Sequence, residues 1–226
     1  MKFDFLTQTP LFQGMSETES QTALECLDCE HKRYSKGAVI YRAGDRIEAM
    51  GLILAGSVNI ENNDVWGNKS ILDNIGPGQV FAEAYACIPG EPLMVSVVAA
   101  ESAEILFLNT SRLCREGANS CPCYGRLIYN LLTVTAQKNL NLSRRIFHTS
   151  PKTIRKRLLS YLSFQAVRQG SCRFTIPFNR QQLADYLGVD RSALSHELSK
   201  MRREGLLTFE KNTFCLNQAT NKPQPR

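Results

Sequence analysis

Histidine is scarce in this chain of 226 residues: the three copies, His31, His148 and His196, lie far apart. A jelly-roll metalloenzyme needs histidines clustered with carboxylates. A serine hydrolase needs its nucleophile on a strand-to-helix elbow, with His and Asp partners. Neither arrangement is present, so catalysis is not expected. Long apolar runs are missing too. None approaches the ~20 residues that cross a bilayer, and Met1-Lys2-Phe3-Asp4 does not open a signal peptide. The expectation is a cytoplasmic protein with no membrane partner. Eight cysteines without an export signal then point to reduced thiols rather than a disulfide framework. They are Cys26, Cys29, Cys87, Cys114, Cys121, Cys123, Cys172 and Cys215. Cations are absent from one long interval: no Lys or Arg occurs between Lys69 and Arg112, where Asp73, Glu83, Glu91, Glu101 and Glu104 fall.

The charge that is present is unevenly placed. The net +6 combines a slightly acidic stretch up to residue 150 with a strongly basic one after it, where 14 Lys and Arg face 5 Asp and Glu. Such a split suits one module that meets a polyanion and another with a different task. Within the basic part, Asn179 and Gln182 read as a capping box that opens a short helix with Leu183, Ala184 and Leu187 inward. Gly188 supplies the left-handed residue that ends it, and Asp190 caps a second helix carrying Leu194, Leu198 and Met201. Ala184 gives the small side chain that a close helix crossing needs. This is a helix-turn-helix whose second helix fits a DNA major groove. The segments 205–210 and 212–216 read as two strands joined near Lys211-Asn212, a β-hairpin wing directly after it.

Upstream, Ser16-Glu17-Thr18-Glu19 is another capping box and starts a helix to about Leu27. From His31 to about Leu108, short β-rich segments alternate with turns such as Ala43-Gly44-Asp45, Trp66-Gly67-Asn68 and Gly76-Pro77-Gly78. Their even spacing indicates a small antiparallel barrel or jelly roll. A long helix follows from about Tyr124 to Phe147. Ile128, Leu131 or Leu132, Thr135, Asn139, Leu142 and Ile146 fall near heptad spacing, and further apolar residues widen the stripe. That width fits a helix packing both on the barrel and on a second protomer, with Asn139 setting the register. Ser150-Pro151 is expected to start the next helix, to Arg168, with Ile154, Leu158, Leu159 and Leu162 inward and Arg155 and Arg157 on its other faces. The expected division is a sensing domain over 1–118, a dimerisation helix over 119–148, a winged helix over 149–216 and a disordered tail over 217–226.

The order of these parts resembles the cyclic-AMP receptor protein/FNR family of bacterial transcription regulators. The resemblance is carried by Gly44-Asp45, Leu54-Ala55-Gly56-Ser57-Val58 and Gly76-Pro77-Gly78-Gln79 in the barrel, then by the long helix and the winged helix. It implies an α+β fold and a homodimer on a near-palindromic DNA site, working beside RNA polymerase. Base edges would be met by Arg191, Ser192, Ser195 and His196. Arg191 suits guanine O6 and N7, and His196 replaces a second arginine of the cyclic-AMP receptor type. Arg180, Gln181, Lys200 and Arg202 would meet phosphates, with plain solvation the alternative for the last two.

Members that bind cyclic AMP hold its ribose and phosphate with a Gly-Glu pair and an Arg-Ser/Thr pair. Here Phe81-Ala82-Glu83 has Ala for the glycine, and alignment on Ser102-Ala103-Glu104-Ile105 puts Leu93-Met94 at the Arg-Ser/Thr pair. A buried phosphate without a cation carries a large desolvation cost, so cyclic AMP is disfavoured and a different small-molecule effector is expected. Its contacts would be Glu83, Tyr85, Leu93 and Met94, with Lys138 and Asn139 on the long helix. Glu83 can equally be a structural acceptor, and Lys138 a solvated or interhelical residue. No cofactor is assigned. The FNR branch holds an iron–sulfur cluster on cysteines, which makes Cys26, Cys29, Cys114, Cys121 and Cys123 the alternative metal or redox site; structural thiols are the leading account. A barrel that binds a protein partner, without DNA binding, is the remaining class, and the intact Arg191–His196 stretch argues against it.

Overall fold

The computed structural model describes residues 3–63, 69–88, 90–113 and 123–217. The chain divides into two compact units, residues 1–137 and 138–226. The boundary between these units falls inside the long helix.

The first unit begins with helices α1 (Phe3–Thr7) and α2 (Glu17–Cys26). The capping box that starts α2 is in place: Glu19 N–H donates to Ser16 Oγ at 3.2 Å, and Ser16 N–H donates to Glu19 Oε2 at 2.7 Å. Two four-stranded antiparallel sheets follow. One has the order β1 (Glu30–Tyr34), β8 (Ala103–Asn109), β3 (Ala49–Ala55), β6 (Val80–Phe81). The other has β2 (Val39–Tyr41), β7 (Ser96–Ala99), β4 (Val58–Asn63), β5 (Lys69–Ile75). Short helices α3 (Glu83–Ala86) and α4 (Thr110–Leu113) complete the unit with the start of α5 (Tyr124–Thr149).

Side chains alternate across the first sheet. Ile53, Ile105 and Phe107 join Val58, Val97 and Ala99 of the second sheet in one core. Met50, Leu52, Leu106 and Leu108 point the other way, into a core with Leu6, Phe12, Leu24 and Leu27 of the N-terminal helices and Leu127 of α5. β8 is thus buried on both faces, which explains its unbroken Ile105-Leu106-Phe107-Leu108 run. β1, Glu-His-Lys-Arg-Tyr, is an edge strand with no apolar face, and only pairing with β8 marks it as a strand.

The second unit continues α5 into α6 (Ile154–Gln169), β9 (Arg173–Thr175), α7 (Arg180–Leu187), α8 (Arg191–Arg203), β10 (Leu207–Glu210) and β11 (Thr213–Leu216). The strands form a sheet of order β10-β11-β9. Leu158, Tyr161, Leu162, Leu183, Leu194, Leu198 and Phe214 make its core. α6 starts later than the sequence pattern suggests. The Ser150 hydroxyl donates back to Ile146 O at 2.6 Å and closes α5 instead of capping α6. A residue before proline avoids helical geometry. The cap is Thr153, extended, whose hydroxyl accepts from Lys156 N–H at 3.3 Å.

Candidate nucleic-acid interface and effector site

α7 opens at Asn179 and Gln182, each side chain accepting the other's backbone N–H at 2.9 Å. Gly188, at φ +63°, ends it in the left-handed conformation, and Val189 N–H turns back to Ala184 O at 3.0 Å. Asp190 then caps α8, accepting from Ala193 N–H at 2.9 Å and the Ser192 hydroxyl at 2.5 Å. Those bonds, the serine's first, hold its carboxyl below the usual range. Ala184 is completely buried, as a close crossing requires.

Three arginines fix this pair in place. The last carbonyls of a helix have no partner within it. Here Arg145 donates to the carbonyls of Asp185 (3.1 Å) and Tyr186 (3.2 Å), and Arg157 to those of Leu187 (3.0 Å) and Gly188 (3.1 Å). Cations at this end also complement the helix dipole. Arg155 bonds Glu197 at 2.6 Å and Glu204 with both Nη atoms at 2.7 and 3.0 Å, tying α6 to α8. Arg155 and Arg157 do lie off the apolar face of α6, and these bonds give them partners that the sequence reading did not name. One signal was legible: Glu197 on α8 and Glu204 at its C-cap stand seven residues, two turns, apart.

With Leu194, Leu198 and Met201 turned inward, α8 presents Arg191, Ser192 and His196 to solvent, with Ser195 half-buried beside them. Arg191/Ser195 and Ser192/His196 are i, i+4 neighbours on that face. The Ser195 hydroxyl donates to Arg191 O at 2.9 Å. Gln181 is exposed, its amide donating to Asp185 Oδ1 at 2.9 Å; Lys200 is exposed, and Arg202 lies 5.1 Å over the Phe209 ring. Arg180 is less available than expected. It is half-buried with its guanidinium 4.8 Å from the Phe209 ring and 5.0 Å from Phe214, and Nη1 is buried without a hydrogen-bond partner. Burial lowers its pKa. His148, 1% exposed at the end of α5, bonds Ser160 Oγ through Nδ1 at 2.9 Å and packs on Tyr161 and Phe164; burial lowers its pKa as well.

In the first unit, Tyr34, Tyr41, Phe81 and Phe107 form a chain of edge-on rings with centroids 5.8–6.4 Å apart. The far end of the Phe81 ring sits against Gly51, where a Cβ would come within 2.1 Å of it. Next to it Ala82 adopts φ +60°, the left-handed shape that glycine takes without strain. Glu83 and Leu93 are buried, Tyr85 is half-buried and Met94 is 76% exposed. Leu93 N–H donates to Asp45 O, and Gly44 N–H to Leu93 O, so the Leu93-Met94 stretch is pinned to the β2–β3 turn. Arg46 pairs with Pro92 by backbone there, a neighbouring cation that the count over 70–111 does not include. Lys138, half-buried, and Asn139, exposed, belong to the second unit.

Cys26, Cys29 and Cys123 pack on the core of helices and first sheet. Burial, with Asp28 adding to it, pushes the Cys29 thiol up to about 12. Such a thiol is a poor ligand and nucleophile until deprotonated. Cys114 and Cys121 lie outside the described residues, as do the Trp66-Gly67-Asn68 turn and most of the tail, residues 218–226. Among the described residues no three His, Cys, Asp or Glu are grouped to hold a metal ion.

Residues 31–115 match the cyclic nucleotide-binding domain, and residues 156–219 the Crp-like helix-turn-helix domain. The chain belongs to the CRP/FNR family. This CRP/FNR regulator is 27% identical to the cyclic AMP receptor protein of Thermus thermophilus over 93% of this chain and 94% of that protein. Its fold is shared by CprK complexed with OCPA (15% identity, TM-score 0.62, covering 89% of this chain and 91% of the other). It is shared too by the c-di-GMP-responsive global regulator CLP of Xanthomonas campestris (18% identity, TM-score 0.56, covering 90% of this chain and 100% of the other). As a CRP/FNR member the chain is a DNA-binding transcription regulator with an α+β fold, and not an enzyme. No helix of the described residues is long and apolar enough to cross a membrane.

Proposed function

We propose that the protein binds a near-palindromic DNA site as a homodimer in the cytoplasm, under control of an effector other than cyclic AMP. The observation that carries the reading is the solvent face of α8, where Arg191, Ser192, Ser195 and His196 stand on a helix tied to α6 by Arg155 and preceded by an α7 whose end Arg145 and Arg157 hold. Arg191 reads guanine; Gln181, Lys200 and Arg202 meet phosphates.

Two apolar faces of α5 support the dimer. Leu127, Leu131 and Val134 pack on the core of their own unit. Ile128, Leu132, Leu142 and Ile146 are 45–65% exposed at the heptad positions, the pattern of a helix that pairs with a second copy. Leu93 and Met94 offer a phosphate no charge, which supports an effector other than the one named for the Thermus relative. Cys26, Cys29 and Cys123 pack on the core of helices and first sheet, and the described residues bring no three ligand side chains together, which favours structural thiols over the redox or iron–sulfur alternative. Contact with RNA polymerase belongs to the same reading.

Sedimentation of the full chain on a fragment of its own promoter tests this: two protomers per site are expected, with half-site centres ~34–36 Å apart. Single subunits, alone and on saturating DNA, overturn the dimer. Tight stoichiometric uptake of cyclic AMP in calorimetry overturns the effector assignment.

A further inference from the structure

A cavity of about 280 Å³ lies wholly within the second unit, between α5, α6 and α7. Its walls are aromatic: Phe164, Phe178 and Tyr186, with Tyr161 at the base. The Phe178 and Tyr186 centroids are 5.0 Å apart, and Tyr161 stacks on Phe178 at 5.9 Å. The charged groups that line it are Arg144 and Arg168, and no carboxylate lines it. Arg144 stands 5.8 Å from the Phe164 ring and reaches Asn141 Oδ1 at 3.2 Å. Among the described residues neither arginine has an acidic partner.

The base of the cavity is chemically incomplete. Tyr161 is 2% exposed, yet its hydroxyl makes no hydrogen bond. The amide of Gln165, buried and also lining the cavity, is close enough to act on the hydroxyl but does not complete a bond with it. Buried hydroxyls nearly always have a partner. Burial raises this phenol to about 12, so it remains a neutral donor. Two guanidinium groups without an acidic partner among the described residues, one of them over the Phe164 ring, together with an unused hydroxyl form a recognition set for a planar anion.

We propose that this cavity binds a small aromatic carboxylate. Arg144 and Arg168 hold the carboxylate, Phe164, Phe178 and Tyr186 flank the ring, and the Tyr161 hydroxyl bonds a polar substituent opposite the carboxylate. The volume suits a single ring. The site is separate from the barrel and from the α8 face, so it stands or falls independently of the DNA reading.

The test is calorimetric titration and thermal melting of the full chain with benzoate, 4-hydroxybenzoate and uncharged benzyl alcohol. Expected are one benzoate per chain, a rise in Tm with ligand, and at least ~10-fold weaker binding of benzyl alcohol. R144Q/R168Q should weaken benzoate ~10-fold or more while keeping its circular dichroism and its DNA binding. Tyr161→Phe should weaken 4-hydroxybenzoate more than benzoate. Absence of binding up to ~10 mM acid, equal affinity for benzyl alcohol, or unchanged affinity in R144Q/R168Q overturns the proposal.

Discussion

The winged unit and the barrel unit use polar groups in opposite ways. In the winged unit, charge is spent on shape: Arg145, Arg155 and Arg157 are all engaged in holding α7 and α8, which leaves Arg191 and His196 free on a fixed face. In the barrel unit, the stretch aligned with the family's phosphate site holds Leu93 and Met94, and the interior nearby is a chain of rings. One unit must fit a polymer whose backbone charges repeat at a regular spacing. The other matches a domain whose family takes small-molecule effectors, and such a lining can be replaced as the molecule changes. This is why the helix-turn-helix names its partner and the barrel does not.

The largest effect that tests this contrast is expected from Phe214→Ala. Phe214 is fully buried, stacked on Phe174 and beneath Arg180. Its loss should cost the winged unit ~3–5 kcal/mol and abolish DNA binding, while near-ultraviolet circular dichroism still reports the barrel's ring chain; loss of both signals together would mean that the units do not fold separately. Next, Arg191→Ala should remove ~1–3 kcal/mol of discrimination at one base pair of each half-site. A site selection that returns the same base preference would defeat the assignment.

A pH titration sharpens the same comparison. Burial keeps the His148 ring neutral and its pKa below the ordinary value of 6.5. The unfolded chain therefore takes up this proton first, and stability that is complete above pH ~6.5 falls as the pH drops towards the folded pKa. Melts of the winged unit between pH 8 and 5 should show that loss, and His148→Phe should flatten it. The smallest effect belongs to the barrel. Ala82 sits at φ +60°, so Ala82→Gly should raise stability by up to ~1 kcal/mol, the relief of left-handed strain less the added flexibility of the unfolded chain. A clear loss in urea unfolding would show that the alanine methyl packs usefully.

Local rules made much of the fold legible. Both capping boxes, the Gly188 turn and the wing depend on residues within a few positions of one another, and each is where the pattern placed it. The bracing arginines were not legible, because Arg155 meets Glu197 and Glu204 across more than forty residues. β1 was hidden because an edge strand needs no apolar face. The start of α6 was misplaced because Ser150 had two available carbonyl and amide partners, and sequence cannot rank them. At α8, helical spacing alone was enough to place Arg191, Ser192 and His196 on the exposed side. At the barrel, the pattern gave Ala82 but not its strained backbone.

The seat of Phe81 on Gly51 sets a direction for the barrel. With the ring already against the strand's backbone, there is no travel left behind it. The Phe81 ring cannot be pressed closer to β3, so Gly51 is a fixed stop on one side of its range.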